Sequence, residues 1–381
     1  MRARPRRRRL GAGLALAFAA YAVWLAVSIA RFDAPTVEER EGGGPPYEVT
    51  GVYHVHTEFS DGTGTPDEVA AAAARRKLDF VVLADHGNPN LASLASQGRK
   101  SGVLVLAGSE LSVSRGHLVA MDFAPPEREF AQNAEQAALE VAARGGFSVI
   151  AHPYSKTSWT WGTGTLFSGI EIADSDTMIR KNLLRVLPYA PALAVKPELP
   201  LLKALSRPVE TLRKWDSLAA GQPVFGLFSA DAHFLYGAVF RVFLLHALLE
   251  EPPAEAFGNA RAQIFAALRR GRYYGAVDGA APAGGFNFPA AAGGESFPMG
   301  SRIRWRGGAP VNLSVRVPFA FAVETRLLRD GRVVERARGA EIAYAADEPG
   351  VYRVEVYLRV RSPLASDFPW LISNPIFIER S

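Results

Sequence analysis

The chain has 381 residues, ordinary apolar content (48%) and 43 basic against 38 acidic side chains, so neither a disordered nor a fibrous protein is expected. Six of the basic residues are Arg2, Arg4 and Arg6 to Arg9; the remaining 37 balance the acidic set, so the basicity is local and no general nucleic-acid surface is expected. There is no cysteine, which excludes disulfides and thiolate metal sites and leaves His, Asp and Glu as the ligands for any metal.

Residues 1–31 form the first segment. Leu10 to Ala30 run without a charge, long enough to cross a hydrocarbon core of about 30 Å as a helix. The arginines in front orient such a helix with its start in the cytoplasm and the rest of the chain outside, a single-pass signal-anchor in the cell membrane. The competing reading is a cleaved signal peptide and a secreted protein, with Ser28 and Ala30 as small residues at suitable spacing. Residues 32–48, with Gly42-Gly43-Gly44-Pro45-Pro46, read as a linker.

Residues 49–280 alternate short apolar runs with helical stretches. The runs are Gly51–Val55, Phe80–Leu83, Val103–Leu106, Phe147–Ile150, Gly169–Ile172 and Val224–Phe228. After the first comes a helix start, with Thr65 as N-cap, Pro66 at the first position and Glu68 closing a capping box. This alternation predicts an α/β fold with a parallel sheet or barrel. Residues 176–220 lack a clear pattern and are expected as an irregular helical insertion over the site. Residues 281–381 change texture: Val311–Val317, Glu324–Leu328 and Val351–Val360 alternate, and Asp330-Gly331 signals a hairpin. A small all-β, sandwich-like domain is expected there.

Six of the seven histidines fall in short polar motifs, nearly all just past an apolar run. His54 and His56 alternate within the first run, which would put both imidazoles on one side. Ser60-Asp61-Gly62 adds a carboxylate on a turn. Asp85-His86, Glu110, His117, His152 and Asp231-x-His233 follow. The C-terminal ends of parallel strands converge on one mouth, where so many imidazoles and carboxylates conflict unless divalent metals bind between them. Mixed nitrogen and oxygen ligation suits zinc, manganese or iron. His246, inside the apolar run Val242–Leu249, reads as a packed or edge histidine.

His54-x-His56-Thr57 with Ser60-Asp61-Gly62, then Ala84-Asp85-His86, Gly108-x-Glu110, Ala151-His152-Pro153 and Asp231-x-His233, resemble in order the motifs of the polymerase-and-histidinol-phosphatase (PHP) superfamily. The resemblance implies a distorted (β/α)7 barrel with two or three divalent ions at its mouth, and phosphoester hydrolysis of a small phosphorylated substrate. It implies His54, His56, Asp61, His86, Glu110, His117, His152, Asp231 and His233 as metal ligands, with Glu110 bridging and Asp85 orienting a ligand. Arg115, Lys156 and Arg180 are candidate phosphate-binding cations, and Trp159 and Trp161 candidate stacking surfaces. Gly350 to Glu355, Pro369-Trp370 and Ser373-Asn374-Pro375 look like the C-terminal extension of some membrane-linked members. Two other readings stay open: an amidohydrolase-like metal-dependent hydrolase, and a membrane-anchored metal-binding protein without catalysis.

Overall fold

The apolar runs fold as strands because every one of them is buried. In the computed structural model, which describes residues 5–32, 47–155, 159–162, 166–318 and 322–381, the fold is mixed α/β. The strands that matter for the site are β1 (Glu48–Val55), β2 (Phe80–Leu83), β3 (Val103–Ala107), β4 (Ser109–Val113), β5 (Gly116–Met121), β6 (Phe147–Ala151), β7 (Gly169–Asp174) and β8 (Phe225–Ser229). All of β2, β3, β6, β7 and β8 is buried, which matches their largely apolar sequence.

β1, β2 and β3 pair in parallel, and so do β6, β7 and β8. β4 and β5 form an antiparallel hairpin, and β5 also runs antiparallel to β6. Two seams join these groups. At one, β3 continues into β4 and a parallel bridge pairs His86 with Glu110. At the other, a parallel bridge pairs Val55 with Ala232, supported by Ala230 N–H donating to Tyr53 O (3.0 Å) and His56 N–H to Ala232 O (3.0 Å). The His86 and Ala232 ends of these seams, just past β2 and β8, carry the site. The expected helix after β1 is present as Pro66–Ala74: Thr65 caps it, and the Glu68 carboxylate accepts from Thr65 N–H at 2.8 Å.

β9 (Phe243–Leu248) lies antiparallel to β1, and β10 (Tyr273–Val277) antiparallel to β9. Leu371–Ser373 pairs antiparallel with β10, and Gly350–Leu358 pairs with Leu371–Ser373. The sheet that begins under the site therefore runs on into the C-terminal strands without a break. Ala290–Ala292, Glu295–Phe297, Val311–Arg316 and Glu341–Ala346 form a separate four-stranded sheet, in which Val311–Arg316 alternates buried and exposed positions as its sequence predicts. Asp330 and Gly331, both at positive φ (50° and 76°), turn the hairpin between Val323–Arg329 and Arg332–Ala337. His246 on β9 is buried, 2.6 Å from a Glu48 carboxylate oxygen and 3.0 Å from one of Asp278, and stacks on Tyr274. Its burial is as expected, but its two charged neighbours are additional to a simple packed histidine.

The insertion after β7 consists of short helices, Ser175–Lys181, Leu183–Val186, Leu187–Ala194 (3-10), Glu198–Ala204 and Val209–Ala219. The N-terminal helix, Pro5–Ala30, contains a 20-residue apolar stretch, Gly11–Ala30, long enough to cross a membrane. Along it Leu14, Leu16, Phe18 and Val23 are exposed.

Candidate metal centre

Glu110 lies at the centre of the site and is 1% exposed. The bridge to His86 at the β3–β4 seam carries its side chain into the cluster. One carboxylate oxygen, Oε1, lies 2.6 Å from His117 Nδ1 and 2.9 Å from His152 Nε2. The other, Oε2, lies 3.2 Å from His54 Nε2, 3.3 Å from His56 Nε2 and 3.2 Å from His86 Nδ1. Five imidazoles therefore surround one carboxylate. The hairpin explains the seven-residue spacing of Glu110 and His117: His117 pairs with Ser112, two residues along the same face from Glu110.

A second carboxylate, Asp231, follows β8. Its Oδ1 is 3.2 Å from His56 Nε2 and 3.6 Å from His54 Nε2. A third, Asp61, is half exposed; its Oδ2 lies 3.3 Å from His233 Nε2 and 3.6 Å from His86 Nε2, and its Oδ1 3.3 Å from His56 Nδ1. His56 and His233 stack face to face with ring centres 4.2 Å apart. The structure thus brings together His54, His56, Asp61, His86, Glu110, His117, His152, Asp231 and His233.

His54 and His56 both reach the cluster, but simple strand alternation is not the means. The pairing of β1 with β2 shifts register between Tyr53 and Val55, and His54 itself has φ of 66°. His152 (φ 25°) and Asp231 (φ 42°) also lie on the positive side of φ, where non-glycine residues are strained. Three of the site residues are therefore held in conformations that the surrounding sheet must enforce.

Two carboxylates on β7 that the motifs did not single out lie beside the cluster, and one of them supports the ligands. Glu171, buried in β7, has Oε1 2.6 Å from His54 Nδ1 and accepts from the His152 backbone N–H at 2.7 Å through Oε2. It fixes the ring of His54 so that Nε2 faces Glu110 and Asp231. The signal for it was a lone acid inside the apolar run Gly169–Ile172. Asp174, at the end of β7, caps the helix Ser175–Lys181 through Oδ1, while its buried Oδ2 is unpartnered.

Asp85 does not touch the histidines. Its carboxylate accepts from Thr57 N–H (2.6 Å), Thr57 Oγ1–H (2.8 Å) and Ser60 Oγ–H (2.8 Å), and so holds the loop that carries Asp61. Arg115 pairs with Glu135 at 2.8 Å and Arg180 with Asp176, so neither is a free cation over the cluster. Lys156 lies outside the described residues. Trp161 is buried against Phe167, and Trp159 donates to Gly162 O at 2.7 Å beneath the Lys214 ammonium. Both tryptophans are held by local packing.

The electrostatics shows what the donor set is suited to hold. Burial opposes charge on His56 and His152, yet hydrogen bonds and charge from Asp231, Glu110 and Glu171 push their pKa values up to about 9 and about 10. Burial also acts on Glu110, but the charge of His54 and hydrogen bonds from His117 and His152 hold it well below the usual carboxylate range. For His86 burial wins and its pKa is lowered. Two buried ring nitrogens, His56 Nε2 and His86 Nδ1, face carboxylate oxygens at 3.2–3.3 Å without the geometry of a hydrogen bond. A buried polar atom without a partner costs about 1–3 kcal/mol, and a carboxylate oxygen cannot donate to the lone pair of a neutral imidazole, so these nitrogens suit a Lewis acid between them and the carboxylates. Three overlapping groups have ligand atoms within 4.8 Å of one another: His56, Asp61, His86 and His233; His54, His56 and Glu110; and His86, Glu110 and His117. Neutral imidazoles with ionised carboxylates in such groups fit divalent cations.

A cavity of about 270 Å³ adjoins the cluster. His152, Glu171 and Asp174 line it together with Tyr154, Lys181 and Asn182.

Comparison with known proteins follows the same lines. Residues 53–155 match the PHP domain family. No curated protein sequence matches the chain. Among solved structures, a two-domain protein from Bacteroides vulgatus containing a predicted PHP-like metal-dependent phosphoesterase is similar over 90% of this chain and 100% of its own, with 15% identity and a TM-score of 0.46. An amidohydrolase from Chromobacterium violaceum is similar over 48% of this chain and 87% of its own (18% identity, TM-score 0.34). A metal-dependent phosphoesterase candidate from Bifidobacterium adolescentis covers 50% of this chain and 90% of its own (13% identity, TM-score 0.34). The family match takes in the Glu110 cluster from His54 to His152, with Asp231 and His233 beyond its end, so it is this segment of the chain that is similar to the PHP domain.

Proposed function

We propose that the chain is a metal-dependent phosphoesterase, hydrolysing a small phosphorylated substrate at the Glu110 cluster. The observation that carries the reading is the set of three overlapping donor groups, in which the buried His56 Nε2 and His86 Nδ1 face carboxylate oxygens without hydrogen-bond geometry. Two or three divalent ions, of manganese, zinc or iron, are the cofactors, with His54, His56, Asp61, His86, Glu110, His117, His152, Asp231 and His233 as ligands. When bound, such ions act as Lewis acids and lower the pKa of water. The chain's own residues orient and confine the reaction. Glu110 reaches five imidazoles with its two oxygens and is suited to bridge ions. Glu171 holds the His54 ring by Nδ1, and Asp85 holds the Asp61 loop. Lys181, on the adjoining cavity, where its ammonium donates to Tyr154 O, is the cation assigned to the substrate in place of Arg115, while the Asn182 amide is held by Met178 O, Ala204 O and Ser206 Oγ.

The strand pairings and their two seams support a distorted seven-stranded α/β barrel over residues 49–280, with a mainly β part over 281–381. The apolar helix Gly11–Ala30 supports a single-pass membrane anchor, and the arginines before it an extracytoplasmic barrel.

The test is metal content and hydrolysis of p-nitrophenyl phosphate by the full chain in detergent, beside a His54→Ala/His56→Ala double variant and a panel of amide substrates. Two or more equivalents of metal, with phosphate-ester turnover lost in the variant, is the expected result. Metal with turnover of amides alone would move the protein to another hydrolase class. A chain that stays metal-free after reconstitution would overturn the reading.

A further inference from the structure

The insertion after β7 presents an apolar surface that its own fold does not bury. From Leu183 to Val195, Leu183, Leu184, Leu187, Pro188, Pro191, Ala194 and Val195 are exposed, Leu184 by 85% and Val195 by 68%. A run of that kind in a soluble protein marks an interaction site. Its charges are of one sign: between Asp176 and Glu198 stand Arg180, Lys181, Arg185 and Lys196, and no acid. Apolar side chains bordered by basic ones are the pattern of a segment lying in the interface of an anionic bilayer.

The position of the segment singles out the bilayer as its occupant. Tyr21 of the N-terminal helix donates through its hydroxyl to Pro188 O at 2.9 Å, and Trp24 packs on Tyr189 with ring centres 4.9 Å apart. Nine residues separate Tyr21 from Ala30, where the apolar stretch ends, which is about 14 Å along a helix. Half of a hydrocarbon core is about 15 Å. If Gly11–Ala30 spans the membrane, Pro188 and Tyr189 lie beside its outer half and cannot be in bulk water. The backbone is suited to that place. Leu183–Val186 and Leu187–Ala194 are helical, and Pro188 and Pro191 have no N–H to satisfy.

We propose that residues 183–195 are a second membrane contact, seated in the outer leaflet against the N-terminal helix. The proposal rests on the membrane-anchor reading of that helix. Lys181 and Asn182, immediately before the segment, line the cavity beside the metal cluster, so this contact ties the cavity wall to the bilayer surface.

The cysteine-free chain allows single-cysteine labelling. Leu184→Cys, Leu16→Cys in the helix and Val333→Cys in the exposed C-terminal hairpin are each made in the full chain, labelled with an environment-sensitive fluorophore and reconstituted into phosphatidylcholine–phosphatidylglycerol vesicles. Emission is quenched by brominated acyl chains or by aqueous iodide. The expected result is blue-shifted emission at positions 16 and 184, quenched by the brominated lipid and protected from iodide, with the opposite at 333. A lipid-quenched label at 16 with an iodide-quenched label at 184 overturns the second contact and leaves the anchor standing. A label at 184 protected from both quenchers overturns it in favour of a protein partner or a second copy of the chain. An iodide-quenched label at 16 overturns the anchor reading itself and the proposal with it.

Discussion

A buried imidazole can bind a metal through one nitrogen only if the other is held, and at His54 the holder is Glu171. The carboxylate is fully buried, contacts the Nδ1 of His54 and takes the His152 backbone N–H with its other oxygen, so one side chain orients two of the proposed ligands. Partners of this kind contribute about 10–100-fold to metal affinity. Glu171→Ala is expected to weaken metal binding by about that factor, whereas Glu171→Gln, whose amide oxygen still accepts from His54, loses less. Competition with a chromogenic chelator checks both. Equal losses would mean that Glu171 acts by filling space. The nine proposed ligands were named from short polar motifs, nearly all just past an apolar run, and from the family those motifs resemble. Glu171 was not, because an acid within a strand has no motif, and its partner His54 lies 117 residues away. Arg115 and Arg180 stand near ligand motifs for a phosphate-binding role, but nothing in the sequence showed that Glu135 and Asp176 would pair with them.

At the scale of elements, local chemistry was legible wherever a single turn contains it. Thr65, Pro66 and Glu68 carry the whole helix start within four residues, and the hairpin at Asp330-Gly331 lies between the strands it joins. The β4–β5 hairpin was missed because Ser114-Arg115 carries no strong turn signal and its strands begin with polar site residues. The loop between His56 and Thr65 illustrates how an element serves the site. Gly62 lies so close to the His56 backbone that an added Cβ would sit 2.4 Å from its carbonyl carbon and oxygen. Its neighbour Asp61 depends on that close approach. Gly62→Ala is expected to displace Asp61, lowering the number of metal equivalents bound, while Thr65→Ala, which removes only the cap, costs about 1 kcal/mol of stability and leaves metal content unchanged. Metal analysis and urea unfolding of both variants separate the two effects. Unchanged metal content in Gly62→Ala would show that the loop tolerates the shift.

Across the whole molecule, the expected division near residue 280 meets two structural ties. One is the sheet that runs from β1 through β10 into Leu371–Ser373 and Gly350–Leu358. The other is a buried charge network. Arg353 donates to Asp216 at 2.7 and 2.9 Å and to Glu355 at 2.7 Å, while Arg207 reaches both Glu355 oxygens at 3.0 and 2.9 Å. Arg207 and Asp216 belong to the insertion after β7, Arg353 and Glu355 to a C-terminal strand, so the network joins parts remote in sequence and no local pattern could announce it. Burial acts to raise the Glu355 pKa, but the charges of Arg353 and Arg207 outweigh it and bring the value down to about 2 from an ordinary 4.5. A depressed carboxylate contributes stability that is complete above its unfolded pKa and is lost as pH falls from about 4.5 through about 2. At about 1.4 kcal/mol per unit, the share of this group is about 3 kcal/mol. Glu355→Gln leaves the buried Arg353 partly uncompensated and is expected to cost about 3–5 kcal/mol near neutral pH. It should also flatten the acid limb of stability between pH 4.5 and 2. Urea unfolding of the full chain, followed at both neutral and acid pH, measures both effects. Because the network and the sheet cross the same boundary, unfolding is expected as one transition, destabilised as a whole by the substitution. If only a second, separate transition responds, the C-terminal part is an independent domain, and the network stabilises its own side alone.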